Sequence, residues 1–104
     1  MVVKDHVKNA LVIKEFDNVA TALQNLSEGD TACYEVDGVL RTLRLKQNIS
    51  FGHKFAIRQI EEGEGVVKYS EVIGRATQRI EAGEHVHIHN LESLRGRGDW
   101  EVQA

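Results

Sequence analysis

Three segments of this chain repeat one short pattern: Leu26-Ser27-Glu28-Gly29-Asp30-Thr31-Ala32, Ile60-Glu61-Glu62-Gly63-Glu64-Gly65-Val66 and Ile80-Glu81-Ala82-Gly83-Glu84-His85-Val86. The common form is an aliphatic residue, two loosely specified positions, glycine, an acid, any residue and a small aliphatic. Physically this describes a buried anchor, a turn that needs glycine geometry, and re-entry into a strand. The spacings are unequal, 34 residues and then 20, which argues against a solenoid of equal rungs. A compact, pseudo-symmetric β module is expected instead.

The rest of the chain supports that expectation. It has no proline and nine glycines, so its turns must be shaped by Gly, Asn and Asp at positive φ. Asp37-Gly38 lies between two β-rich runs, Thr31 to Val36 and Val39 to Leu45, and predicts a hairpin. Further strands are expected over Ala10 to Glu15, Phe55 to Ile60, Gly65 to Tyr69, Val72 to Ala76 and His85 to Asn90. One amphipathic helix is expected over Asn18 to Asn25. Its apolar face would be Val19, Ala22, Leu23 and Leu26, at i, i+3, i+4 and i+7, with Asp17 as its N-cap. The expected class is therefore mainly β with one or two short helices. Residues 1–9 would be a lead-in, 10–91 the single domain and 92–104 a polar tail.

Length and charge exclude several roles. At 104 residues the chain makes one small domain. Such a domain buries only about two thirds of its unfolded surface, so a stabilising partner is expected, either another copy or a different polypeptide. The net charge is −3, and Lys and Arg are scattered, which does not suit a nucleic acid. The longest apolar runs, such as Ala10-Leu11-Val12-Ile13, fall far short of the ~20 residues a bilayer demands. The N-terminal residues lack the pattern of a secretory signal. A lone cysteine, Cys33, fits a reducing cytoplasm and the role of a small buried hydrophobe.

The chemistry-bearing residues are concentrated. Four of the five histidines fall in Gly52-His53-Lys54 and in Gly83-Glu84-His85-Val86-His87-Ile88-His89-Asn90. On a strand, His85, His87 and His89 project to one side and Val86 and Ile88 to the other. Three imidazoles on one face suit zinc, iron and other borderline divalent ions, although a half-exposed strand also alternates polar and apolar residues for structural reasons alone. His53 and Lys54 pair a titratable imidazole with a flexible ammonium, able to act as acid or base or to hold a carboxylate. Asp17-Asn18 reads first as a helix start and second as a place to bind an anionic substrate. Neither Gly63-Glu64-Gly65 nor Gly96-Arg97-Gly98 has the context of a phosphate cradle, and Arg97-Gly98-Asp99 carries no weight as an adhesion motif.

Four stretches, in order and spacing, carry a resemblance. They are Asp17-Asn18-Val19-Ala20-Thr21-Ala22-Leu23, Gly52-His53-Lys54-Phe55-Ala56, Val67-Lys68-Tyr69-Ser70-Glu71-Val72-Ile73-Gly74-Arg75-Ala76 and Gly83 through Asn90-Leu91. Over roughly residues 10 to 99 the chain resembles the SAF-type N-terminal domain of the altronate and galactarate dehydratase family. That domain occurs fused to a large catalytic region or as a separate small subunit. A related design is the small subunit of sulfolactate sulfo-lyase. Relatives often have Tyr-Gly where this chain has Tyr69-Ser70.

The resemblance implies a β-clip fold, akin to the type III antifreeze domain. It also implies a lyase that removes water from a sugar acid with a divalent metal, commonly ferrous iron (Fe2+). The expected assignments are His53, Lys54 and His87 as catalytic, His85, His87 and His89 as metal ligands, and Asp17, Asn18, Lys54 and Asn90 as substrate-binding residues. The expected partner is a separately encoded large catalytic subunit, without which the chain would have little activity. Two other roles compatible with the same residues are a sugar-acid or partner-binding module without catalytic groups, and a spacer needed only to fold the large subunit.

Overall fold

The computed structural model describes residues 8–14 and 16–93. Nine short strands form three small sheets. The first sheet has the order β1-β2-β5-β8, from Ala10–Leu11, Val19–Ala22, Lys54–Ala56 and His85–Val86. The hairpin β3-β4 pairs Thr31–Val36 with Val39–Arg44. The third sheet, β6-β7-β9, joins Gly65–Lys68, Glu71–Ala76 and Leu91–Ser93. All pairings are antiparallel. Among the described residues no helix is long and apolar enough to cross a membrane.

The repeat is the organising device, and the structure adds a copy. Leu26 pairs with Ile49 and Ile60 with Ile80, each through an isolated antiparallel bridge, and all four side chains are buried. Ile49-Ser50-Phe51-Gly52-His53-Lys54-Phe55 is thus a fourth loop of the same kind, with His53 where the other three have an acid. The glycines Gly29, Gly52, Gly63 and Gly83 have φ of 91°, 84°, 86° and 92°, a region that side chains disfavour. Within each pair the loops exchange equivalent hydrogen bonds. Gly29 N–H donates to Leu45 O and Gly52 N–H to Ala22 O; Gly63 N–H donates to Ala76 O and Gly83 N–H to Ala56 O. Leu45, Ala22, Ala76 and Ala56 each lie four residues before the partner loop's anchor.

Each loop pair has its own core. Leu26 and Ile49 pack with Ala20, Ala22, Leu45 and Phe55, whereas Ile60 and Ile80 pack with Val19, Ala56, Val66 and Val86. Strands β2 and β5 run through both cores, contributing Ala20 and Phe55 to one and Val19 and Ala56 to the other. They weld the two lobes together.

The mainly β class and the Asp37-Gly38 hairpin are as expected, with Asp37 and Gly38 at φ of 51° and 79°. The helix is not there: no helix occurs among the described residues, and Val19–Ala22 is the strand β2. This strand is hydrogen-bonded on both sides, to β1 and β5, and Val19, Ala20 and Ala22 are all buried. A strand covered on both faces loses its two-residue alternation, and the apparent helical spacing arose by adding the loop anchor Leu26 to it. Asp17 accordingly caps no helix. The expected strand from Ala10 is only two residues long, and β9 continues past Leu91 to Ser93. The segment Arg95–Asp99 lies outside the described residues.

Candidate metal centre

Two loops deliver the histidines. Loop 49–53 hands His53 to the start of β5, and loop 80–84 hands His85 to the start of β8. The β5–β8 register sets Phe55 opposite His85 and Lys54 opposite Val86, bringing the two loop exits together. His85 N–H donates to Gln47 Oε1 at 2.8 Å. Beyond Val86 the strand ends, and Asn90 folds the chain back: its Oδ1 accepts from His87 N–H at 2.9 Å and its Nδ2 donates to His85 O at 2.8 Å. Backbone and side chain of this buried asparagine thereby fix His87 beside His85.

The result is a cluster of His53, His85 and His87 in which one ring nitrogen from each lies within 4.8 Å of the other two. The rings are nearly parallel, with centroids 4.5 to 5.2 Å apart and interplanar angles of 11° to 15°. His53 Nδ1 and His85 Nε2 are 2.9 Å apart. This is hydrogen-bond distance, and it also brings the two nitrogens close enough for both to serve one ion. Three imidazoles are a donor set that suits a borderline divalent ion. The residues therefore fit the metal that the resemblance implies.

Burial and neighbouring charge disfavour protonation of His85 and His87. Partial burial, then the charges of His87 and His53, lowers the His85 pKa from 6.5 to about 4. His87 is lowered by desolvation first and then by His53 and Lys54. Lys54 is itself lowered, by burial and then by Lys68. At neutral pH His85 is therefore a neutral imidazole, with a proton on one ring nitrogen and a lone pair on the other.

The expected site residues fall into two groups. His53, His85, His87 and Lys54 come together. His89 is not one of the close trio: its ring is tilted by 39° and lies 5.6 Å from that of His85, because the strand ends at Val86 and the turn swings His89 outward. Ile88, expected on the buried side with Val86, is 84% exposed for the same reason. Asp17, Asn18 and Asn90, expected at the substrate, are buried and their side chains are engaged by backbone. Asp17 Oδ2 accepts from Ile13 and Lys14 N–H and its Oδ1 from Ser70 N–H. Asn18 donates to Gly65 O and accepts from Val67 N–H. The Asp17 contact also supports the turn at Tyr69 and Ser70, whose φ values of 58° and 61° are unusual for residues with side chains.

Sequence reading had not seen His53 as part of the trio's geometry. The signal was the fourth copy of the loop, hidden because its acid is replaced. Lys68 was also missed. With Lys54 and Tyr69 it lines a groove of about 590 Å3 next to the cluster.

The sequence model for the altronate/galactarate dehydratase SAF domain matches residues 8–94. An altronate dehydratase of Escherichia coli (strain K12) is 46% identical over 81 residues, which cover 78% of this chain and 16% of that protein. An altronate dehydratase of Bacillus subtilis (strain 168) is 37% identical over 84% of this chain and 17% of its own length. A (2R)-sulfolactate sulfo-lyase subunit alpha of Chromohalobacter salexigens is 53% identical over 57 residues, covering 53% of this chain and 61% of that subunit. The chain thus spans less than a fifth of the altronate dehydratases that it matches.

Proposed function

Because the chain belongs to the altronate/galactarate dehydratase SAF-domain family, we propose that it is the small subunit of a sugar-acid dehydratase. Its histidine cluster would contribute to an active site completed by a separate large catalytic subunit. The observation that carries this reading is the imidazole trio with Lys54 beside it. His53, His85 and His87 would hold a divalent metal, ferrous iron in the reading preferred here. When bound, such an ion supplies Lewis acidity toward a carboxylate or a leaving hydroxyl.

The reaction is an elimination from a 2,3-dihydroxy carboxylate. The C2–H bond breaks, its electron pair forms the C2–C3 double bond, and the C3–O bond breaks; the hydroxide takes a proton and leaves as water. The resulting enol becomes a 2-oxo acid by moving its hydroxyl proton to C3. The chain's own residues have three tasks. Lys54 Nζ holds the substrate carboxylate, where negative charge grows as the C2 proton departs. The partly buried imidazoles of the trio offer one nitrogen each, all within 4.8 Å of one another, as the donor set for the ion. His89, adjacent to His85 but outside the trio, serves as the acid–base group toward the leaving hydroxyl.

The test is to purify the chain with and without its large partner and to assay altronate, galactarate and related acids. Turnover is expected only from the combination, and it should be lost when His53 and His87 are both changed to alanine. Robust turnover by the chain alone, or an unaffected double variant, would overturn the proposal. A second reading has its own support, since matched relatives include short subunits of (2R)-sulfolactate sulfo-lyases. Here the C–S bond breaks instead of C–O, and release of sulfite from (2R)-sulfolactate identifies it.

A further inference from the structure

Lys54 and Lys68 reach the same groove from different sheets. Lys54 opens β5, and Lys68 ends β6, which is anchored near β2 by the Asn18–Val67 hydrogen bonds. Tyr69, Val72, Leu91 and Ser93 supply much of the remaining wall. Lys68 Nζ sits 5.0 Å from the centre of the Tyr69 ring, a cation–π contact that holds it in place.

Neither lysine takes part in the ion pairs found among the described residues, which join Lys8, Lys46, Arg58 and Arg79 to acids elsewhere. Glu71 also lines the groove and faces Lys68 in the β6–β7 register, but it is exposed and makes no such pair with either lysine. Two partly buried lysines therefore line one groove, and neither is joined to an acid by the ion pairs found among the described residues, in a chain whose net charge is −3. Like charges placed together in this way repel, and an anion lodged between them turns the repulsion into two charge-assisted hydrogen bonds.

We infer that Lys54 and Lys68 form a two-ammonium seat for the carboxylate of a 2-hydroxy acid, so that Lys68 is a substrate-binding residue. Lys54 links the seat to the imidazole trio, because it follows His53 directly in the chain and its charge acts on His85 and His87. The identification of the anion as a hydroxy acid rests on the lyase reading; the seat itself rests on the groove.

The experiment is a nuclear magnetic resonance titration of the full chain with D-gluconate, using neutral D-gluconamide as control. Gluconate is expected to shift the amide resonances of Lys54, Lys68 and Tyr69, and gluconamide to leave them in place. Lys68→Met should weaken gluconate about tenfold, while Lys68→Arg retains most of the affinity. Cobalt(II) binding at the trio should be unchanged in both variants, which also reports an intact fold. Equal shifts with gluconamide, no shifts at the groove, or wild-type affinity in Lys68→Met would each overturn the seat. The two readings fail separately. Gluconate binding that needs Lys68, without turnover of any acid by the reconstituted complex, removes the lyase and leaves the seat. Turnover whose KM is unchanged by Lys68→Met does the reverse.

Discussion

Three of the four glycine loops close on themselves, and the fourth does not. In loops 26–30, 60–64 and 80–84 the residue after glycine is an acid that accepts a backbone N–H three residues back. Asp30 accepts from Ser27, Glu64 from Glu61 and Glu84 from Glu81, at 2.8 to 2.9 Å. In loop 49–53 the backbone makes the same turn, with His53 N–H donating to Ser50 O at 2.9 Å as Asp30, Glu64 and Glu84 do to their own partners. Its side chain, however, leaves the loop and meets His85. One backbone design thus yields a structural residue three times and a functional one once. The turn is carried by glycine and backbone, so the position after it can be given over to chemistry at the cost of one hydrogen bond.

The largest expected effect tests how far the loops are alike. A Cβ at Gly83 would lie 2.7 Å from Arg44 O, whereas at Gly52 nothing stands within 4 Å. Gly83→Ala combines backbone strain with a clash and should cost about 3 kcal/mol or more. Gly52→Ala carries the strain alone, about 1 kcal/mol. Urea unfolding of both variants measures the difference, and equal losses would mean that the loops are not packed as described.

A sharper test converts the odd loop into the common kind. His53→Asp should restore the closing carboxylate and leave the melting temperature equal or higher. It should also weaken cobalt(II) binding by more than about a hundredfold, because one of three ligands is withdrawn. A variant that still bound metal normally would show that His53 is no ligand. The converse changes, Asp30→Ala and Glu64→Ala, should each cost about 1 kcal/mol of stability with metal affinity intact.

The smallest effect separates the two regions by pH. His85 has a folded pKa of about 4 against 6.5, so between these values the unfolded chain binds more protons. Its contribution is present above pH 6.5 and is lost as pH falls toward 4. Glu64, whose pKa is lowered from 4.5 chiefly by its bond to Glu61 N–H, loses its contribution only below 4.5. Melting curves of the chelator-treated chain should show both windows, and His85→Asn should shrink the upper one, to which the lowered His87 also contributes, while leaving the lower one unchanged.

How much of this was legible follows from the range of the interactions involved. Asp37-Gly38 was legible because a two-residue turn is a local matter. The three acid-bearing loops were legible because each closes within itself. The strand β2 was not, since its burial on both faces comes from β1 and β5, distant in the chain. Of the histidine trio, His85 and His87 share one segment and could be read as a pair. His53 joins them through a contact spanning 32 residues, which no periodicity reveals. His89 was misplaced for a related reason, because the buried Asn90 ends the strand early by binding the backbone of His85 and His87.

The trio also straddles the seam between the two cores. His53 leaves a loop anchored with Leu26, and His85 leaves one anchored with Ile60. A cation held by both, as proposed above, would be a rivet through two bodies otherwise joined by shared strands. Loading the site and tightening the lobes against one another would then be a single thermodynamic event, and stripping the ion would loosen the whole particle.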